Sequence, residues 1–143
     1  MTMSNPDLKT LAVGDVVTES AIEVDRGRLI RYAGASGDFN TIHWSDQIAT
    51  DVGLPGVIAH GMFTMGAAVS VLESWLDDPT AIIDYQTRFT RPVPVPATGS
   101  VTLDVTCTVG AIDDEAKTAR FDLSVQLDGA RVLTKAQAVV RLG

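Results

Sequence analysis

The stretch VIAHGMFTMGAAVSVLESW, from Val57 to Trp75, decides the fold. From His60 onward it reads as the longest helix of the chain. Met62, Phe63, Met65, Ala67, Ala68, Val69, Val71, Leu72 and Trp75 leave it apolar almost all the way round until Glu73. A helix of that kind has to be covered on every side. Gly61, Gly66, Ala67 and Ala68 are small enough to let a sheet approach closely. The apolar run ends near Leu72, short of the roughly 20 residues that cross a bilayer. A buried core helix is the expectation.

Working outward toward the C-terminus, the pattern changes to strand. Ala81–Arg91 is a first candidate and ends in the proline run Pro92, Pro94 and Pro96. Val101–Val109 alternates apolar with polar residues. Ala119–Leu127 and Arg131–Leu142 flank Asp128-Gly129, a strong hairpin signal. Toward the N-terminus, Val16–Val24 reads as one more strand, and Asp25 offers a helix N-cap. Leu29, Ile30, Tyr32 and Ala33 supply an apolar helix face, which Gly34 and Gly37 terminate. A short helix from Ser45 through Ile48 and Ala49 runs toward Gly53, and Leu54-Pro55-Gly56 is a turn. Consecutive strands with short turns form antiparallel sheets. The expected class is therefore α+β, with residues 1–143 forming a single domain in which an antiparallel sheet wraps a long central helix. One such layer leaves open strand edges, which favours a dimer.

Composition narrows the functions. The chain has 143 residues, 45% of them hydrophobic, enough for a real core. Eleven basic residues stand against 18 acidic ones, for a net charge of −7. That balance argues against nucleic acid or an anionic membrane as a main partner. The single cysteine, Cys107, allows no intrachain disulfide, as expected of a cytoplasmic protein; its place in an alternating strand suggests a small core residue. The N-terminal residues, MTMSNPDLKT, lack the basic and apolar regions of a secretory signal.

Two segments carry chemistry. Ser36-Gly37-Asp38-Phe39-Asn40-Thr41-Ile42-His43 places a carboxylate, an amide and an imidazole in one glycine-turned loop. A carboxylate and a neutral imidazole held close can share one water, which is general acid–base work suited to histidine near neutral pH. The same residues equally suit a turn in which Asp38 and Asn40 bond their own backbone. Ala59-His60-Gly61-Met62 opens the apolar helix. Free amides there carry partial positive charge, and a glycine lets a carbonyl approach as it would an oxyanion hole. The plainer reading is a turn glycine with His60 hydrogen-bonded locally. Ser36 has no base marked beside it. Arg88 and Arg91, at a strand end, suit either the phosphates of a carrier or plain solvation. His43, His60 and the isolated Cys107 give no metal-ligand spacing.

These segments are similar to a known family. Ser36 to His43 resembles the hydratase motif of the MaoC-like family, in which serine, glycine, aspartate, any residue, asparagine, proline, an aliphatic residue and histidine follow one another. Ala59 to Met62 resembles that family's second signature, and Arg88-Phe89 with Pro92-Val93 its strand end. His43-Trp44, the Ala59–Gly66 run, Trp75 and Tyr85 to Pro96 look like the actinobacterial (3R)-hydroxyacyl-ACP dehydratases within the family. The resemblance implies a hot-dog fold and a reversible dehydration of (3R)-hydroxyacyl thioesters to trans-2-enoyl thioesters. It implies Asp38 and His43 as the catalytic pair, Gly61 as amide donor, and Asn40, Gly61 and Arg88 as substrate contacts. It implies no metal and no cofactor. Its substrates would be acyl-CoA or acyl-ACP, and its assembly a homodimer or a heterodimer with a second hot-dog subunit. Thr41 replaces the motif's proline, which would have pre-set the loop dihedral.

Two other readings compete. A non-catalytic acyl-binding subunit of the same fold would have lost Asp38 or His43, and both are present. An acyl-CoA thioesterase of the same fold would place a carboxylate on or near the central helix to activate water at the carbonyl, whereas the helix here has Glu73 only near its end, far from the Gly61 amide.

Overall fold

Apolar alternation in the second half of the chain builds one antiparallel sheet. A computed structural model describes residues 4–143. The strands are β1 (Val16–Asp25), β2 (Ile82–Phe89), β3 (Ser100–Asp113), β4 (Thr118–Leu127), β5 (Ala130–Arg131) and β6 (Leu133–Arg141). Their order is β1-β3-β4-β6-β2, with β5 beside β4. The expected hairpin forms at Asp128-Gly129, where both residues have positive φ (49° and 77°), as its turn type requires. The first expected strand of the second half is shorter than Ala81–Arg91, because Pro79–Ala81 form a 3₁₀ turn. The last expected strand divides into β5 and β6.

The helices are α1 (Arg26–Ser36), α2 (Asp46–Asp51) and α3 (Gly61–Trp75). Asp25 caps α1 by accepting from the Arg28 amide, and Ser45 caps α2 by accepting from the Ile48 amide. Helix α1 runs through Gly34 and ends at Gly37, which takes the left-handed conformation at φ 76°. Its buried face is narrower than expected: Leu29 and Ala33 are inside, while Ile30 is exposed.

Helix α3 packs against β1, β3, β4 and β6, the hot-dog arrangement. Phe63, Thr64, Ala68, Val71 and Leu72 face this core, with Phe121, Leu103, Val105 and Val125 opposite. The expectation of cover on every side fails within this chain. Met62, Gly66, Ser70 and Glu73 form an open stripe, so Gly66 makes no room for the sheet. Cys107 is fully buried on β3, and burial pushes its thiol pKa up to about 12, which keeps it neutral. Among the described residues no helix is long and apolar enough to cross a membrane. The expectation about a secretory signal rests partly on Met1, Thr2 and Met3, which lie outside the described residues.

Candidate active site

The site is assembled where the chain enters α3. Residues 57–59 run beside 93–95: the Ala59 amide donates to Val93 O at 2.9 Å and the Val95 amide to Val57 O at 2.9 Å. These bonds hold His60 and Gly61 against the proline run. A clamp supports the same segment from the other side. The Arg26 guanidinium bonds the Asp46 carboxylate at 2.8 Å and the Val95 carbonyl at 2.7 Å, and Asp46 also accepts from the Val57 amide. The Val57 amide, and then Arg26, hold the Asp46 carboxyl below its ordinary pKa.

The loop from Ser36 to His43 docks onto this segment. The Ile58 amide donates to Ile42 O at 3.3 Å, and His43 Nδ1 lies 2.8 Å from Ile58 O. A carbonyl only accepts, so Nδ1 carries a proton, and in the neutral ring Nε2 keeps its lone pair. His43 is nearly buried on the 3₁₀ turn Thr41–His43. Asp38 is exposed, and its Oδ1 accepts from the Asn40 amide at 3.1 Å. Asn40 Oδ1 accepts from the Ile42 amide and so caps the turn that Thr41 begins. The turn reading of Asp38 and Asn40 therefore holds together with their proximity to His43. These bonds order the loop without the motif's proline.

His60 does more than bond locally. It is 1% exposed, and its Nε2–H donates to the backbone carbonyl of Asp38 at 3.1 Å, 22 residues away. Its ring stacks on His43 with centroids 3.8 Å apart and planes at 25°, and Tyr32 of α1 meets it edge-on at 4.7 Å. Burial, and secondarily the charge His43 can carry, lower the His60 pKa. His60 Nδ1 is buried without a partner, at a cost of about 1–3 kcal/mol.

A carboxylate oxygen of Asp38 and one ring nitrogen each of His43 and His60 lie within 4.8 Å of one another. Three such groups invite comparison with a metal site. Rings stacked 3.8 Å apart, however, keep their in-plane lone pairs in separate, nearly parallel planes, which suits shared ligation of one ion poorly. The trio suits proton handling better than an ion cage.

Gly61 is the first residue of α3, and its φ is not positive, so no backbone strain accounts for the glycine. A Cβ there would lie 3.1 Å from the Phe89 ring. Beside it opens a cavity of about 290 Å³, lined among others by Gly61, Thr64, Phe89, Arg91 and Val132. Arg88 is not brought to this cavity. It sits on the outer side of the sheet, in a groove with Gln86, Lys135 and Gln137. Arg91 occupies the cavity wall instead. Alternation along β2 carried a signal for this, because an inward Phe89 turns Arg88 outward. Thr64 was not singled out from the sequence, and Phe89 entered only within the strand-end resemblance, with no role of its own; both are ordinary residues of a helix and a strand end.

Comparison with known proteins supports the fold and gives the family. The profile of the family described as MaoC like domain matches residues 9–126. The chain is 37% identical over 82 residues to 3-hydroxyacyl-thioester dehydratase X of Mycobacterium tuberculosis, a match covering 57% of this chain and 28% of that protein. It is 29% identical over 121 residues to 3-hydroxybutyryl-CoA dehydratase of Methylorubrum extorquens, covering 84% of this chain and 74% of that protein. A solved structure described as a MaoC-like dehydratase superimposes with a TM-score of 0.94 at 32% identity, covering 99% of this chain and 44% of that one. This chain thus spans less than half the length of two of these three relatives.

Proposed function

The chain belongs to the MaoC-like domain family, and from that premise we propose that it interconverts (3R)-hydroxyacyl and trans-2-enoyl thioesters by adding or removing water. The observation that carries the reading is the spacing of Asp38 and His43. Two acceptors bridged by a single water sit roughly 4.5 Å apart when each hydrogen bond is about 2.8 Å long. The Asp38 carboxylate and a ring nitrogen of His43 fall within 4.8 Å. Nδ1 of His43 is committed to Ile58, so Nε2 is the nitrogen free to accept.

A water whose two hydrogens are held by Asp38 and Nε2 presents its oxygen lone pair outward, toward C3 of an enoyl thioester. As the C–O bond forms, one proton passes to the pair and is returned to C2 on the same face. Negative charge meanwhile develops on the thioester oxygen, where the Gly61 amide at the start of α3 donates to it. Dehydration is the reverse. Asn40 keeps its side-chain NH₂ free to donate to the substrate while its oxygen caps the turn. The steps are proton transfers and need neither a metal nor a redox cofactor.

The substrate class in this reading is an acyl-CoA or acyl-ACP thioester; the relatives' names give a 3-hydroxyacyl thioester for one and 3-hydroxybutyryl-CoA for the other. Arg91 on the cavity wall is a better candidate than Arg88 for contact with the carrier. The reading also includes a homodimer or a heterodimer with a second hot-dog subunit. Its support is the open stripe on α3, the unpaired edges of β1 and β2, and the exposed Phe39, Trp44, Met62 and Phe89 around the site.

The test follows enoyl absorbance with crotonyl-CoA and with a long-chain enoyl-CoA, while free thiol is measured in parallel. Hydration without thiol release is expected. Thiol release would make the chain a thioesterase. Neither reaction, from a chain in its native assembly, would favour an acyl-binding subunit.

A further inference from the structure

His60 stands out because its surroundings make little sense as stability alone. It occupies the N-cap position of α3, yet its side chain makes no capping bond. It is 1% exposed and leaves Nδ1 buried without a partner. A leucine or phenylalanine would fill the slot with no orphaned polar atom. What the imidazole does accomplish is directed entirely at two residues of the loop. Its Nε2–H holds the Asp38 carbonyl at 3.1 Å, and its face lies 3.8 Å from the face of His43. Tyr32 meets the same ring at 4.7 Å, a further contact that holds it in place.

We propose that His60 is the positioning residue of the acid–base pair: one hydrogen bond sets the Asp38 backbone, and one ring face sets the His43 imidazole. Each of the pair is otherwise tethered only on one side. Asp38 is in an exposed loop, and its own remaining bonds, its amide donating to Ser36 Oγ and its Oδ1 accepting from the Asn40 amide, are internal to that loop. His43 is held in its ring plane by Ile58 but needs a wall to stop tilting about that bond. His60 ties both to the start of α3, where Gly61 lies. The carboxylate, Nε2 and the Gly61 amide then keep one mutual geometry. The ionisable groups that face the His60 ring are Asp38 and His43 of the loop and Tyr32 of α1. Burial lowers the His60 pKa, which disfavours a second positive charge against the face of His43.

This inference rests on the acid–base reading of Asp38 and His43. The experiment separates the two functions of the ring. His60→Phe keeps the stack and loses the donor. His60→Gln keeps a donor at the place of Nε2 and loses the stack. His60→Ala loses both. With crotonyl-CoA, kcat should fall roughly 10-fold in each of the first two and on the order of 100-fold in the third, while KM changes little. His60→Phe should melt no lower than the parent, because it removes the orphaned nitrogen. A lower kcat in a fully stable protein is what a merely structural residue would not produce. Amide hydrogen exchange supplies a readout that needs no turnover: residues 38–43 should exchange faster in the variants while α3 stays protected.

Folded His60→Phe and His60→Gln with native kcat and native loop exchange would overturn the proposal. Should one variant fail to fold, the other decides by the same two measurements. Asp38→Asn and His43→Ala run beside them. If those two keep turnover, the acid–base reading itself fails. If they are inactive while the His60 variants are native, only the positioning role fails.

Discussion

Replacing Gly61 by alanine separates stability from catalysis at one atom. The backbone accepts the change, because Gly61 is the first residue of α3 and has no positive φ. The new Cβ meets Phe89 Cε1 at 3.1 Å and Cδ1 at 3.2 Å, tighter than ordinary contact by a few tenths of an ångström. Phe89 is 55% exposed, so its ring can retreat into solvent. Relieving the contact should cost no more than about 1 kcal/mol, the low end of overpacking. Alanine returns up to roughly 0.5–1 kcal/mol of helix preference. Net stability should therefore stay within about 1 kcal/mol of the parent.

The rate should respond far more. Losing one oxyanion donor costs about 2.7–4 kcal/mol, or roughly 100–1,000-fold. A methyl group that holds the carbonyl about 1 Å off its place costs ~100-fold by itself. Gly61→Ala should therefore lower kcat by at least about 100-fold, and Gly61→Val by more. Turnover of crotonyl-CoA, with circular dichroism and a urea midpoint on the same samples, measures both quantities. Adding Phe89→Ala should relieve the packing without restoring the rate. A folded Gly61→Ala protein with unchanged kcat would remove the amide of Gly61 from the mechanism. A loss of rate matched by an equal loss of folded protein would reduce the effect to damage.

Asp38→Asn and His43→Ala should each leave a folded protein and abolish hydration, read by circular dichroism and enoyl absorbance; near-native turnover in either would refute the pair. The clamp at Asp46 makes an acid-side expectation. Its carboxyl pKa is lowered in the folded chain, so its stabilisation is complete above the ordinary carboxylate pKa and is lost as pH falls through the folded value. Urea midpoints taken from neutral pH to below about pH 4 should therefore fall less steeply for Asp46→Asn than for the parent; equal slopes would discount the clamp. Light scattering should report a dimer, and a stable, active monomer would refute the assembly reading.

What could be read in the sequence was what short-range bonds decide. Asp25 caps a helix within three residues of itself, and Asp128-Gly129 turns a hairpin whose two positive φ angles only such residues adopt readily. Asp38 and His43 could be seen as neighbours because six residues of one loop span both. Cys107 could be assigned to the core because strand alternation sets the side it faces. Other features depended on which distant elements meet. His60 looked local, yet its partner is the carbonyl of Asp38. Arg88 and Arg91 looked alike as strand-end cations, and it is the fold that puts Arg91 on the cavity wall and Arg88 in a separate groove. Gly34 and Gly66 looked like a helix stop and a packing notch; α1 runs through the first, and the second faces away from the sheet. The apolar circumference of α3 promised complete burial, whereas one sheet covers one side. Composition and periodicity specify which residues can be buried or bonded, because those preferences belong to the residue and its near neighbours. Which face meets which is decided by register, bulges and the docking of loops, and these are summed over contacts between residues far apart in the chain.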